Sequence, residues 1–166
     1  MQDYFKIYMQ KESEGSELKE TIADFGLYCM EMPFTLFTST RKLTEREWPD
    51  EDGKDVYIPK RLDAEAYTIK IKFGYKGEPE SANEHIKAFW KYLTGNDGSG
   101  VYIKLYNDYN GVGRRHVRLS SFSDSPIYVR DEYGLFLAFD VELNVDDPIT
   151  DVIPSIDADK KVINLV

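Results

Sequence analysis

The hydrophobic period of this chain changes twice between residues 64 and 106, and few folds accommodate that change. The segment AEAYTIKIKFGYKG sets Tyr67, Ile69, Ile71, Phe73 and Tyr75 on one side and Thr68, Lys70, Lys72 and Gly74 on the other. A period of two marks a strand with one buried face. In SANEHIKAFWKYLTG the apolar residues Ala82, Ile86, Phe89, Trp90 and Leu93 recur at helical spacing. That spacing predicts an amphipathic helix that buries the whole stripe, Trp90 included. Ser81 and Glu84 stand at capping-box spacing, Pro79 lies just upstream and Gly95 follows as a stop. The helix is therefore expected over residues 81–94. VYIKLY then resumes the strand pattern.

Taken alone, this stretch fits a parallel β-α-β crossover. The rest of the chain argues otherwise, because its other periodic pieces are strands without helices. GLFLAFDVELNV alternates for twelve residues, with Leu135, Leu137, Phe139, Val141, Leu143 and Val145 on one side. RRHVRLSSF places Val117 and Leu119 inward and His116, Arg118 and Ser120 outward. Asn110-Gly111 before it is a hairpin signal, since both residues tolerate positive φ. Shorter strands are expected over residues 4–9, 26–30 and 34–39, with PIYVRD as a separate short piece. KESEGSELKET, without an apolar stripe, reads as a loop. The expected fold is mainly β within the α+β class: an antiparallel β-barrel or sandwich flanked by one α-helix. Residues 1–147 are read as a single β-rich domain. Residues 148–166, with two prolines and repeated aspartates, are read as a flexible tail or a C-terminal arm that docks on a neighbouring subunit.

The function classes that composition disfavours follow from charge and cysteine. The chain of 166 residues can bury about 70% of its unfolded surface. Its net charge of −9 disfavours sequence-specific nucleic-acid binding and anionic membranes, which require a basic footprint. Cys29 is the single cysteine, which suits a reducing compartment, and its place in FGLYCM points to a buried inert thiol. No apolar run reaches the length of a membrane span. MQDYFKIYMQK lacks the layout of a signal peptide, so synthesis in the cytoplasm is expected. The 12 tyrosines, 9 phenylalanines and 2 tryptophans fit strands and cross-strand pairs, with a minority left for interfaces.

No catalytic constellation is legible, so the chain is not expected to be an enzyme and no cofactor or metal is assigned. The run DEDGKD fails the calcium-loop spacing: its glycine comes too early and no glutamate closes the loop. Asp146-Asp147 and Asp157-x-Asp159 read as solvated acidic surface. His85 and His116 have no partner at a diagnostic spacing and read as surface imidazoles. The glycines of GNDGSG follow a helix instead of preceding one, the wrong polarity for binding phosphate. Arg114, Arg115 and Arg118 form the basic cluster, which either meets an acidic loop of another subunit or is a solvated strand face. Residues 41–60 are irregular and highly charged, with Pro49, Gly53, Pro59 and a separate Trp48. They fit an open loop or a projecting hairpin with its tip near Asp52-Gly53.

The order of these pieces resembles a known family. DFGLYCMEMPF, the charged WPDEDGKDVYIP, the strand YTIKIKFGYKG, the helix SANEHIKAFWKYLTG and a closing strand that runs into Asp146-Asp147-Pro148 carry the likeness. Together they resemble the N-terminal domain of the distal tail proteins of long-tailed bacteriophages, a fold shared with tail-tube proteins. The resemblance covers roughly residues 20–148. It implies a structural subunit that self-assembles, as a hexameric ring, with other tail proteins around a DNA-conducting lumen of the virion. Family members often carry a second, carbohydrate-binding-like domain; the chain has no room for it, which favours a minimal hub or tube-like subunit. On that reading the 41–60 segment reaches an adjacent protomer through Trp48, Tyr57 and Pro59, residue types that favour interface hot spots. Arg114, Arg115 and Arg118 join the subunit interface. The alternative from a different class is a β-sandwich module that recognises carbohydrate or protein through exposed aromatics.

Overall fold

A computed structural model of the chain describes residues 6–32, 38–157 and 161–166; the side chains of 124–127 lie outside that description. The elements run β1 (Ile7–Lys11), β2 (Leu18–Glu20), α1 (Thr21–Phe25), β3 (Leu27–Glu31), β4 (Glu45–Arg46) and β5 (Asp55–Val56). There follow β6 (Tyr67–Gly77), α2 (Pro79–Thr94), β7 (Ile103–Asn107), β8 (Val112–Asp131), β9 (Gly134–Val145), β10 (Val152–Ile156) and β11 (Lys161–Leu165). Tyr4, Phe5 and most of the strand expected over 34–39 fall outside the described residues.

Seven strands form one antiparallel sheet in the order β2-β1-β7-β8-β9-β6-β3, curled into a half-barrel with one main helix against it. The two longest alternations in the sequence lie side by side: Tyr67 pairs with Val145 and the register runs unbroken to Gly77 and Leu135. Their inward residues Ile71, Phe73, Phe139, Val141, Leu143 and Val145 are all buried. The antiparallel sheet with a covering helix, expected from the sequence, is the architecture observed, and α2 is not a parallel crossover.

Three register shifts interrupt the pairing of β8, the last between Asp124 and Tyr128, and the first two explain where the simple alternation fails. Ile103 and Leu105 of β7 face Val117 and Arg114, so β8 carries an extra residue there, and His116 takes φ 52°. A second shift lies between Leu119 and Ser121. It resets the phase so that Leu119 and Phe122 both reach the core, where Phe122 stacks on Phe139 at 4.9 Å. Bulges bend a strand and increase its twist, which suits a sheet that curls. PIYVRD is no separate piece but the continuation of β8, paired with the start of β9.

The helix starts earlier than its capping box predicts. Pro79 is the first helical residue behind Glu78, and no side chain caps that end. Proline suits this position because its missing N–H would have had no partner. Gly95 ends the helix in the left-handed region at φ 75°, where an added Cβ would meet the Gly100 carbonyl at 2.8 Å. Ala82, Phe89, Tyr92 and Leu93 are buried, whereas Trp90 is 41% exposed, contrary to the stripe drawn from the sequence. At about 100° per residue, Trp90 and Tyr92 fall on opposite margins of that stripe, and the sheet covers the Tyr92 margin.

KESEGSELKET is more ordered than a loop. Its first residue, Lys11, ends β1 in the interior and donates to the carbonyls of Tyr92 and, at 2.5 Å, Gly100. Burial pushes its ammonium down to about 8. Its later part supplies β2 and the start of α1. Cys29 is buried as expected, and burial pushes its thiol up to about 12.

The last segment, expected as a flexible tail or an arm on a neighbour, forms an antiparallel hairpin on the chain's own sheet. Val152 and Ile163 are buried there with Tyr8, against Leu18 and Tyr106. The Ile163 amide donates to the Gln10 side chain at 2.7 Å, and Lys104 donates to the Ile163 carbonyl at 3.0 Å. Both faces of the β1–β7 region are thereby covered, which is why Tyr8 and Gln10 are buried as well as Ile7 and Met9. Among the described residues, no helix is long and apolar enough to cross a membrane.

Candidate assembly surface

Two groups of residues were singled out from the sequence, and the structure places them on different elements. Trp48, Tyr57 and Pro59 lie on an excursion between β3 and β6. Arg114, Arg115 and Arg118 lie at the start of β8.

The excursion is a projecting hairpin, the second of the two forms expected. Thr40 bridges to Ala64, the Arg41 amide donates to the Asp63 carbonyl at 2.9 Å, and Tyr57 donates to Thr44 at 2.9 Å. Glu45 then pairs with Val56 and Arg46 with Asp55, before a tip in which Gly53 has φ 84°. Side chains brace the tip: the Arg46 guanidinium stacks 3.7 Å from the Trp48 ring centre, and Trp48 Nε1 donates to Asp55 Oδ2 at 3.1 Å. Lys54 pairs with Glu45 at 2.5 Å.

What this hairpin lacks is a core. Not one residue from 38 to 68 is buried. Tyr57 is 72% exposed, Ile58 68%, Leu62 52% and Trp48 41%. A two-stranded hairpin alone is marginally stable in water, since backbone pairing by itself scarcely offsets the entropy of ordering. Large apolar side chains held out on such an arm gain most by entering another surface.

The arginine cluster is occupied by its own chain. Arg114 pairs with Asp151 at 2.5 Å, Arg115 with Asp147 at 2.6 Å and Arg118 with Asp146 at 2.8 Å. Arg118 holds the Asp146 carboxyl below its usual range despite some burial, helped by a hydrogen bond from Tyr102. Burial raises the Asp147 pKa, but Arg115, Thr150 and the Ile149 amide together hold it well below. These pairs fasten the turn after β9 to β8 and so position the C-terminal hairpin.

The histidines, read as surface imidazoles, both have partners remote in sequence. His116 Nδ1 and backbone N–H both contact the Glu12 carboxylate, at 2.7 and 2.8 Å. The carboxylate thereby secures the positive φ of the bulge. His85 Nδ1 donates to the Phe25 carbonyl at 3.0 Å, tying α2 to α1. The separations of 104 and 60 residues explain why no spacing rule reveals them.

The architecture defines a class first: a curled antiparallel half-barrel, one covering helix and a projecting hairpin without a core. No family model matches the chain, and no curated protein matches it. Among solved structures the fold is similar to the crystal structure of the SPP1 Dit protein. That protein is described as a paradigm of hub adsorption apparatus in phages that infect Gram-positive bacteria. The TM-score is 0.61 and the identity 11%, over 92% of this chain and 55% of that one. The chain thus spans about half the length of that protein, and at this identity the likeness is one of fold.

Proposed function

We propose that the chain is a structural subunit of a phage or prophage tail, a distal tail or tube-like protein that assembles with its own copies into a ring around a lumen that conducts DNA. The observation that carries this reading is the projecting hairpin, which holds Tyr57, Ile58 and Leu62 more than half exposed and leaves Trp48 41% exposed beside Arg46. The fold likeness to a phage hub protein supports it. The net charge of −9 suits a wall past which DNA slides without adhering. In this role Trp48, Tyr57 and Pro59 contact the neighbouring subunit. The arginines Arg114, Arg115 and Arg118 contribute by shaping the β8 surface with their aspartates, and other tail proteins are the remaining partners.

The test is sedimentation of the purified chain over a wide concentration range, with negative-stain electron microscopy of the largest species. Closed rings are expected. A monomer at every concentration, together with a thermal shift caused by glycans, would favour the carbohydrate-binding module instead.

A further inference from the structure

We infer that the acidic tip of the hairpin seats on the outer face of α2 of a second copy, so that the contact joins copies head to tail. The inference rests on the assembly reading above and names the two surfaces that meet.

The receiving surface is Lys87, Trp90 and Lys91. Positions i, i+3 and i+4 lie on one side of a helix, and here all three side chains are exposed. Trp90 offers a flat apolar body between two ammonium groups, and neither lysine makes an ion pair among the described residues. Aromatics flanked by cations are well suited to hold a partner that brings both apolar surface and carboxylates.

The entering surface matches it in charge. Glu47, Asp50, Glu51 and Asp52 flank the braced Trp48 in sequence, are exposed, and make no ion pair among the described residues. Four free carboxylates on one element and two free ammonium groups on another are electrostatically complementary. Within one chain the two surfaces are not joined: among the described residues no ion pair links the tip carboxylates to Lys87 or Lys91, and Trp48 stacks on Arg46 of its own hairpin. A contact between two different patches of identical chains is heterologous, and such contacts propagate until a ring closes or a filament grows.

Charge reversal tests this on the full chain. K87E/K91E places acid against acid, and E51K/D52K sets two lysines against the two of the helix while cancelling the charge of Glu47 and Asp50; each is expected to weaken assembly by at least about tenfold. Mixing the two variants restores assembly, because each then offers the other a complementary pair on both surfaces. All four sites are exposed, so circular dichroism of each variant should match the wild type. A wild type that assembles while K87E/K91E assembles equally well overturns this contact and leaves the assembly reading standing. Failure of the mixture to assemble also overturns it. A wild type that stays monomeric sinks both.

Discussion

Phe89 and Trp90 adjoin in sequence and differ entirely in what surrounds them. The Phe89 ring lies 5.2 Å from both Phe25 and Phe73 and is wholly buried, whereas Trp90 is 41% exposed. Phe89→Ala is expected to cost about 3–5 kcal/mol, the range for a buried large aromatic. Trp90→Ala, half in water, should cost less than about 1 kcal/mol. Urea unfolding of the two variants checks the pair; equal losses would contradict this assignment of core and surface. Asp147 carries a pH prediction at the same scale. Its folded pKa lies below the unfolded value of about 3.9. The native state therefore binds fewer protons than the unfolded chain as acid is added. Its stabilisation is present above that value and fades as pH falls from about 5 downward. Asp147→Asn should flatten the acid limb of the stability curve and cost about 1 kcal/mol at neutral pH, a figure kept small by the exposure of Arg115. An unchanged acid limb would argue against the Arg115–Asp147 pair.

Among the elements, the C-terminal hairpin shows how local freedom at one glycine fixes a contact. A Cβ added at Gly113 would stand 2.3 Å from the Val152 carbonyl and 2.7 Å from the Val152 side chain. Backbone must then move, so Gly113→Ala should lift β10–β11 from the sheet. Hydrogen exchange is the measurement: amides of residues 152–156 and 161–165 should lose protection while those of α2 keep theirs. Uniform loss across the chain would mean that the hairpin and the sheet unfold together. This segment was illegible in the sequence because its two prolines and scattered aspartates break every periodic pattern. Its order comes from Gln10, Lys104 and Tyr8, residues of distant strands. β6 and β9 were legible because each buries one face along its full length, and a period of two survives in any neighbourhood that keeps one face dry. β8 was half legible, since a bulge costs one residue of phase and nothing local announces it.

For the whole molecule, the separation of hairpin and core makes a prediction of its own. Shortening the tip by removing residues 47–54 takes away no buried side chain. The thermal midpoint should stay within about 3 °C of the wild type, because surface changes away from the core rarely exceed about half a kcal/mol. Assembly, by contrast, should be lost in sedimentation. A shortened chain that assembles normally would count against the hairpin as the joining element.

The sequence by itself determined the class of the fold, the two long strands, the helix and its glycine stop, and the hairpin at Asn110-Gly111. Each is a local matter, decided by the spacing of apolar residues and by which residues tolerate positive φ. Only the tertiary structure decided which margin of the helix is dry, what Arg114, Arg115 and Arg118 hold, and that Glu12 secures His116 across 104 residues. Taken alone, the change of period between residues 64 and 106 admits a parallel crossover, but the strands without helices elsewhere in the chain already favoured an antiparallel sheet with a covering helix. The tertiary structure added the strand order and the curl into a half-barrel. The physical reason is that spacing specifies which face an element buries, whereas the partner that buries it is chosen by the entire chain closing on itself.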